Sequence, residues 1–371
     1  MPLMRVQLVD PPAYSPPYDF SLATALARAG AEVEVVTSRY LYGPTPSANG
    51  FPVREEFYRR ATSGERSVAA RRVLRVAEHV PDMLRLRRRG GADVVHYQWL
   101  TLEALDAFLL SRGAPTVFTS HNVLRRGEGR VRELAARLVA RRADALIAHT
   151  ADGARELSER FGADPARVHV IPHAAFDYLT HQPREEPLPA ELAEVEGPVI
   201  LWFGVLRPYK GVDVLLEAFR ELEGAELWIV GRPWMPFEPL RRAAAGAKGT
   251  VRFVERFVTD REIPAYFRRA DLVVLPYRRI DQSGVLYTAL AFGKAMVLSD
   301  VGGFSEIGRE HGAARLVPPG DAGALHDGLA ALLRDPAERE RLGAAAAAAA
   351  AGPFSWDTIA RRTLDLYGQL V

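Results

Sequence analysis

Cysteine is absent from all 371 residues, so disulfides, a thiolate nucleophile and any cysteine-based zinc site are excluded. Lysine is scarce: only Lys210, Lys248 and Lys294 occur, against a great excess of arginine. A surplus of one charge is lacking too. The formal net charge is +2, whereas a protein that grips a nucleic-acid backbone carries a concentrated basic excess, so no nucleic-acid partner is expected. No apolar run is long enough to span a bilayer, and "MPLMRVQLVD" enters a strand pattern without an apolar signal core, which points to a cytoplasmic protein. The spacings G-x-x-x-x-G-K-[ST], G-x-G-x-x-G after a strand, and H-E-x-x-H are all missing. P-loop phosphoryl transfer, nicotinamide chemistry and a zinc helix are thereby set aside, and no metal is expected.

What is present is the composition of a globular chain, 48% hydrophobic and 25% charged, of a length that suits two domains. Short β-branched runs alternate with helical patterns in the first half ("RVQLVD", "EVEVVT", "DVVHY", "TVFTS", "ALIAHT", "VHVIP") and again in the second ("VILWFG", "LWIVG", "VRFVE", "LVVLP", "AMVLS", "ARLVP"). That alternation predicts an α/β chain of two Rossmann-like, doubly wound parallel-sheet domains. They are expected to face one another across a cleft, with ligands beyond the carboxyl ends of the strands. The stretch 176–197, rich in proline and glutamate, reads as a linker between a domain at 1–175 and one at 198–352. The alanine run Ala344–Ala351 reads as structural helix, and 353–371 as a closing amphipathic helix packed back on the first domain. Arg71, Arg72 and Arg75 lie in an otherwise apolar-periodic helix. They read either as a solvated face or as a surface for an anionic membrane or acceptor.

Three constellations carry candidate chemistry. In "DQSGVLYTALAFGK" a helix beginning near Ser283 leaves its first N–H groups unpaired, and Gly284 keeps the approach clear, so an anion can bind there. Ser283 is equally an ordinary helix cap. In "ILWFGVLRPYKGVDVLLEAF" a strand ends at Gly204 and a short loop presents Arg207 and Lys210. That pair suits a diphosphate, though it also fits surface cations on a βα turn. In "TVFTSHN", His121 follows a buried-looking strand. His96 and His173 stand at comparable strand ends, and spacing does not rank the three.

Together "FGVLRPYKGVDVLLEAF", "LWIVGRP", "VERFVTDREIPAYFRRADLVVLPY" and "QSGVLYTALAFGKAMVLSDVGGFSEI" resemble the donor domain of GT-B glycosyltransferases of family 4, the glycosyl transferases group 1. "ADALIAHT", "VIPHAAF" and "FSWDTIARRTLDLY" extend the likeness over most of the chain. The resemblance implies a nucleotide-diphosphate sugar as co-substrate on the second domain, an unknown hydroxyl acceptor on the first, and transfer with retention, with no cofactor and no metal. It implies that Arg207 and Lys210 hold the diphosphate with the Gly284 and Val285 amides. Phe257 and Val258 would meet the base, Asp281 and Gln282 the sugar hydroxyls, and His121 the donor sugar, as the catalytic residue of the first domain. Gly204, Ser283 and Thr288 complete the donor site on this pattern. The chain departs from it at Ile280 and Thr288, where the family carries glutamates eight residues apart, the second of which grips the ribose. The first βα loop, "DPPAYSPPYDFS", also lacks the family's paired glycines and has Tyr18 and Asp19 instead. A non-catalytic GT-B binding or partner protein is the alternative that Thr288 suggests, and a sugar-nucleotide epimerase is disfavoured by motif order.

Overall fold

A computed structural model describes the whole chain except residues 1, 2, 42, 44, 46, 66, 122–128 and 281. Two compact units emerge, Met1–His173 with Trp356–Val371, and Ala174–Ser355.

The first unit is built on a parallel sheet of β1 (Arg5–Asp10), β2 (Glu32–Ser38), β3 (Val53–Phe57), β4 (Val94–Tyr97), β5 (Thr116–Ser120), β6 (Ala145–Ala148) and β7 (Val168–Val170), in the order β3-β2-β1-β4-β5-β6-β7. Its helices are α1 (Pro16–Arg28), α2 (Val68–Arg88), α3 (Glu103–Leu109), α4 (Arg130–Arg142) and α5 (Ala151–Glu159). β4 and β6 are buried at every position, as strands covered on both faces must be, which explains their unbroken apolar runs.

The second unit opens with α6 (Ala190–Ala193) and carries β8 (Val199–Phe203), β9 (Glu226–Val230), β10 (Thr250–Val254), β11 (Leu272–Leu275), β12 (Ala295–Ser299) and β13 (Ala314–Val317), ordered β10-β9-β8-β11-β12-β13. Between and after them run α7 (Val212–Phe219), α8 (Glu238–Ala244), α9 (Ile263–Arg269), α10 (Gly284–Ala291), α11 (Gly303–Arg309), α12 (Ala322–Arg334) and α13 (Pro336–Ala351). The alanine run lies in α13, whose Ala346 and Ala349 are buried against the same core as α10. Small side chains let the backbones come close: a Cβ on Gly343 would sit 2.7 Å from the Gly293 carbonyl.

In both sheets the strand order reverses between two neighbours, β1 with β4 and β8 with β11. At such a switch point the loops at the carboxyl ends diverge and leave room for a ligand. Every candidate constellation of the sequence sits on one of these rims.

One reading needs adjustment. The 176–197 stretch is not a free tether: it belongs to the second unit. Leu192 is buried in that core with Phe176, Leu188 and Val195 against it, and Tyr178 donates to Asp260 at 2.9 Å. Its few apolar residues recur at helical spacing, which outweighs the proline-rich composition. The chain's last helix, α14 (Trp356–Gly368), belongs to the first unit. There it packs along α1, with Arg28 paired to Asp357.

Candidate functional site

In the second unit the rim is assembled from the loops after β8 and β11. The chain leaves β8 at Gly204, whose φ is +121°. A Cβ there would lie 3.1 Å from Lys210 Nζ and 3.2 Å from Val285 Cγ2. The lysine amine and the first turn of α10 therefore converge on one point, the space that a missing side chain leaves open. Gly211 closes the turn Pro208–Lys210 with φ +68°. Its Cβ would fall 1.9 Å from the Pro276 carbonyl, so only glycine lets the two loops touch.

Lys210 Nζ stands 5.3 Å from the Tyr277 ring centre and 5.8 Å from that of Trp202. Among the described residues it has no ion pair. Burial lowers its pKa to about 8, opposed by Tyr209 and helped by Arg207, because an ammonium between aromatic walls loses water without gaining a counter-charge. Arg207 is exposed, its guanidinium 4.6 Å over the Trp234 ring. The loops beneath are laced by Leu206 N to Arg232 O and Trp234 N to Leu206 O, both 3.0 Å.

Ser283 precedes α10, but its side chain makes no capping bond. Its Oγ lies 3.5 Å from the Tyr277 hydroxyl, and among the described residues nothing accepts from the Gly284 and Val285 amides. The ordinary-cap reading of Ser283 thus loses to the open helix end. The Gln282 side chain is buried beside the Tyr287 hydroxyl, whose pKa burial raises while Gln282 opposes the shift. Thr288 is buried, and its hydroxyl donates to Gly284 O at 3.0 Å. It is spent on its own helix. Ile280 packs against the core. Phe257 presents an exposed ring while Val258 is buried. Asp281 lies outside the described residues.

In the first unit the rim is a closed cluster of rings. His121 stacks on Trp99 with centroids 4.8 Å apart and planes at 12°, and Tyr18 meets its edge at 4.8 Å. Tyr18 also touches His149, His173 and Trp356. His149 Nδ1 is 2.9 Å from the Ile171 carbonyl. That oxygen can only accept, so His149 carries its proton on Nδ1 and receives the Nδ1 proton of His121 at Nε2, 3.1 Å away. His121 Nε2 faces Gln98 Oε1 at 3.0 Å. This last bond needs the Gln98 amide turned over, or a second proton on His121. Burial and then His149 hold His121 well below the usual imidazole range, which favours the turned amide. His96 bonds Tyr367 at 2.5 Å and Thr119 at 2.6 Å, and burial takes its pKa down to about 3. Beside these rings Asp10 accepts from the Tyr14 and Ser15 amides, and Asp19 is buried against it. Burial and the Asp10 charge raise Asp19 well above the carboxylate range.

The structure thus brings Gly204, Arg207, Lys210, Ser283, Gly284 and Val285 onto one rim. It engages both ring nitrogens of His121. It also adds Trp202, Tyr277 and Trp234 around the cations and Gln98 and Trp99 around the histidine. No motif spacing announces these residues, though Trp99 and Gln98 directly follow a buried strand. Among the described residues no group of three or more His, Asp or Glu is arranged to hold a metal ion, and no helix is long and apolar enough to cross a membrane.

Two such Rossmann-like sheets with an anion-ready rim define a glycosyltransferase of the GT-B kind. Residues 20–175 match the family model Glycosyltransferase Family 4 and residues 197–335 the model Glycosyl transferases group 1. The D-inositol 3-phosphate glycosyltransferase of Xylanimonas cellulosilytica is 31% identical, over 95% of this chain and 90% of its own. That of Nocardioides sp. is 30% identical over 94% and 84%. Among solved structures, sucrose-phosphate synthase from Thermosynechococcus elongatus superposes with a TM-score of 0.76 at 20% identity over 99% of both chains. Anabaena HepE in complex with UDP-glucose gives 0.75 at 18% identity, over 99% of this chain and 100% of that one. The chain belongs to glycosyltransferase family 4.

Proposed function

We propose that this glycosyltransferase moves a sugar from a nucleoside-diphosphate donor, held by the Ala174–Ser355 unit, to a hydroxyl of an acceptor held by the Met1–His173 unit. The anomeric configuration is retained and no metal or cofactor takes part. The observation that carries the reading is the convergence of Lys210 Nζ and the α10 amino end over Gly204. As the anomeric carbon–oxygen bond breaks, negative charge collects on the diphosphate. Lys210, Arg207 and the unpaired amides of Gly284 and Val285 are placed to stabilise it as it forms. On the family pattern Gln282 and Asp281 are assigned to the sugar hydroxyls. Phe257 and Val258 flank the base. Ser283 shapes the mouth of the helix, and Thr288 reaches the ribose only through van der Waals contact. His121, with both nitrogens engaged, orients the sugar by its ring face instead of shuttling a proton.

HepE was solved with UDP-glucose and the relatives are named for inositol 3-phosphate, so a uridine-diphosphate hexose and a phosphorylated polyol are the first substrates to test. The reaction is placed in the cytoplasm. Calorimetric titration with nucleoside diphosphates, then turnover of a nucleotide-sugar panel with inositol 3-phosphate, tests the whole reading. Product anomers are assigned by NMR, with and without chelator. Micromolar binding of one diphosphate and a retained anomer are expected; no binding of any diphosphate would overturn the reading.

A further inference from the structure

The first two turns of α2 break a local rule. Anions and acidic side chains stabilise the amino end of a helix, and cations there oppose the dipole. Yet α2, 21 residues long, has no acidic residue in its first turn, which ends in Arg71, with Arg72 next and Arg75 one turn on. Ser67 caps only the Ala70 amide.

Arg71 and Arg75 are half-buried. The Nε atoms of both are fully buried with no hydrogen-bond partner, and neither arginine has an ion pair among the described residues. The carboxylates nearby are committed elsewhere. Glu78 accepts the Arg60 and Ala61 amides, and Asp82 accepts the Tyr58 amide and Arg85. Asp106 takes His79 and the Thr101 and Leu102 amides. Two arginines with no ion pair among the described residues and a helix amino end therefore lie together, beside carboxylates whose hydrogen bonds go to other groups.

Its position is as informative as its sign. Arg75 lies 5.6 Å over the Tyr58 ring, just past the carboxyl end of β3. The Tyr58 hydroxyl bonds Thr101 Oγ1 at 2.9 Å, in the loop that carries Trp99 and hence the stack on His121. The arginine pair is thus tied to the same rim as the ring cluster. Arg72, Val73 and Val76 point the other way, into solvent. A membrane would use that outer face, whereas a small anion entering over the rim would meet Arg71 and Arg75.

We infer that Arg71, Arg75 and the amino end of α2 form a phosphate-monoester subsite that selects a phosphorylated acceptor. The inference rests on the acceptor reading above and adds the residues that enforce it. Two guanidiniums one turn apart suit a dianionic phosphate, which accepts several charge-assisted bonds, and Tyr58 packs against Arg75.

The test compares inositol 3-phosphate with free inositol in the full-length enzyme, wild type beside Arg71→Gln, Arg75→Gln, Arg75→Lys and Arg72→Gln. Wild type should prefer the phosphorylated acceptor. Arg71→Gln and Arg75→Gln should each raise its KM by about tenfold or more, with kcat within about twofold. Arg75→Lys should recover part of the loss. Hydrolysis of the donor without acceptor, and turnover with Arg72→Gln, should stay at wild-type values. Unchanged selectivity in both glutamine variants would refute the subsite while leaving the acceptor reading intact. A wild type that turns over donor but ignores the acceptor's phosphate would overturn both. Sedimentation with vesicles containing phosphatidylinositol phosphate separates the remaining source of phosphate. Binding lost equally in Arg71→Gln, Arg72→Gln and Arg75→Gln would assign the charge to a lipid surface and refute the inference; no vesicle binding, with selectivity lost, would support it.

Discussion

The two rims solve opposite problems. On the first unit the titratable rings answer one another: His149 with Ile171 and His121, His121 with Gln98, His96 with Tyr367 and Thr119. On the second, Lys210 stands between Trp202 and Tyr277 with no described counter-charge, and the Gly284 and Val285 amides have no acceptor among the described residues. A closed network gives a stiff surface, because a buried polar group is costly only when unpaired. An open one stores an unmet interaction that a ligand can complete. The difference lies between a ring cluster whose nitrogens are answered from within the protein and a buried ammonium that is not.

The sharpest way to break this comparison is Lys210→Met. Turnover should fall about a hundredfold to a thousandfold, while the melting temperature holds or rises, since a desolvated ammonium is removed. A lysine that serves the fold would give the reverse, lower stability with activity kept. Next comes His149→Ala on the closed side. It leaves the Ile171 carbonyl and the His121 Nδ1 proton without partners and opens a cavity, at a cost of about 2–4 kcal/mol in urea unfolding. An unaltered midpoint would mean that the cluster is not a unit.

The smallest expected effect is a pH dependence. With the free-enzyme pKa of Lys210 lowered to about 8 from an ordinary value near 10.4, a bound diphosphate raises it again, so binding takes up a proton above that pH. Nucleoside-diphosphate affinity should be flat below pH 8 and fall by about tenfold per unit above it. Calorimetry in buffers of different ionisation enthalpy measures the proton uptake directly, and a flat affinity up to pH 10 would contradict it. The same shift acts on folding with the opposite sign: the unfolded chain holds this proton longer, so the group's contribution to stability improves as pH rises from 8 to about 10.4.

Strand runs were legible because a parallel sheet covered on both faces demands continuous apolar segments, as in "LVVL" and "AMVLS". The cation loop and the helix mouth were legible as local patterns too. What local sequence does not carry is closure in space. Trp202 at the end of β8 and Tyr277 in the loop after β11 reach Lys210 from places far apart in the chain, and the ring cluster gathers Tyr18 from α1 and Trp99, His121, His149 and His173 from four separate loops. Proline-rich 176–197 misleads for a related reason. Composition speaks for an extended stretch, but three apolar residues at helical spacing suffice to bind it to a neighbouring core. Thr288 offers a second lesson, since a hydroxyl facing a pocket and one bonded four residues back along its own helix have the same sequence.

Because α14 completes the first unit from the far end of the polypeptide, Trp356 reaches Tyr18 and Tyr367 reaches His96 only late in synthesis. During translation the Ala174–Ser355 unit emerges whole and is free to fold, while its predecessor waits with an uncovered α1 and a buried histidine lacking its phenol. Completion of the first unit therefore waits on a segment that follows the second in the chain.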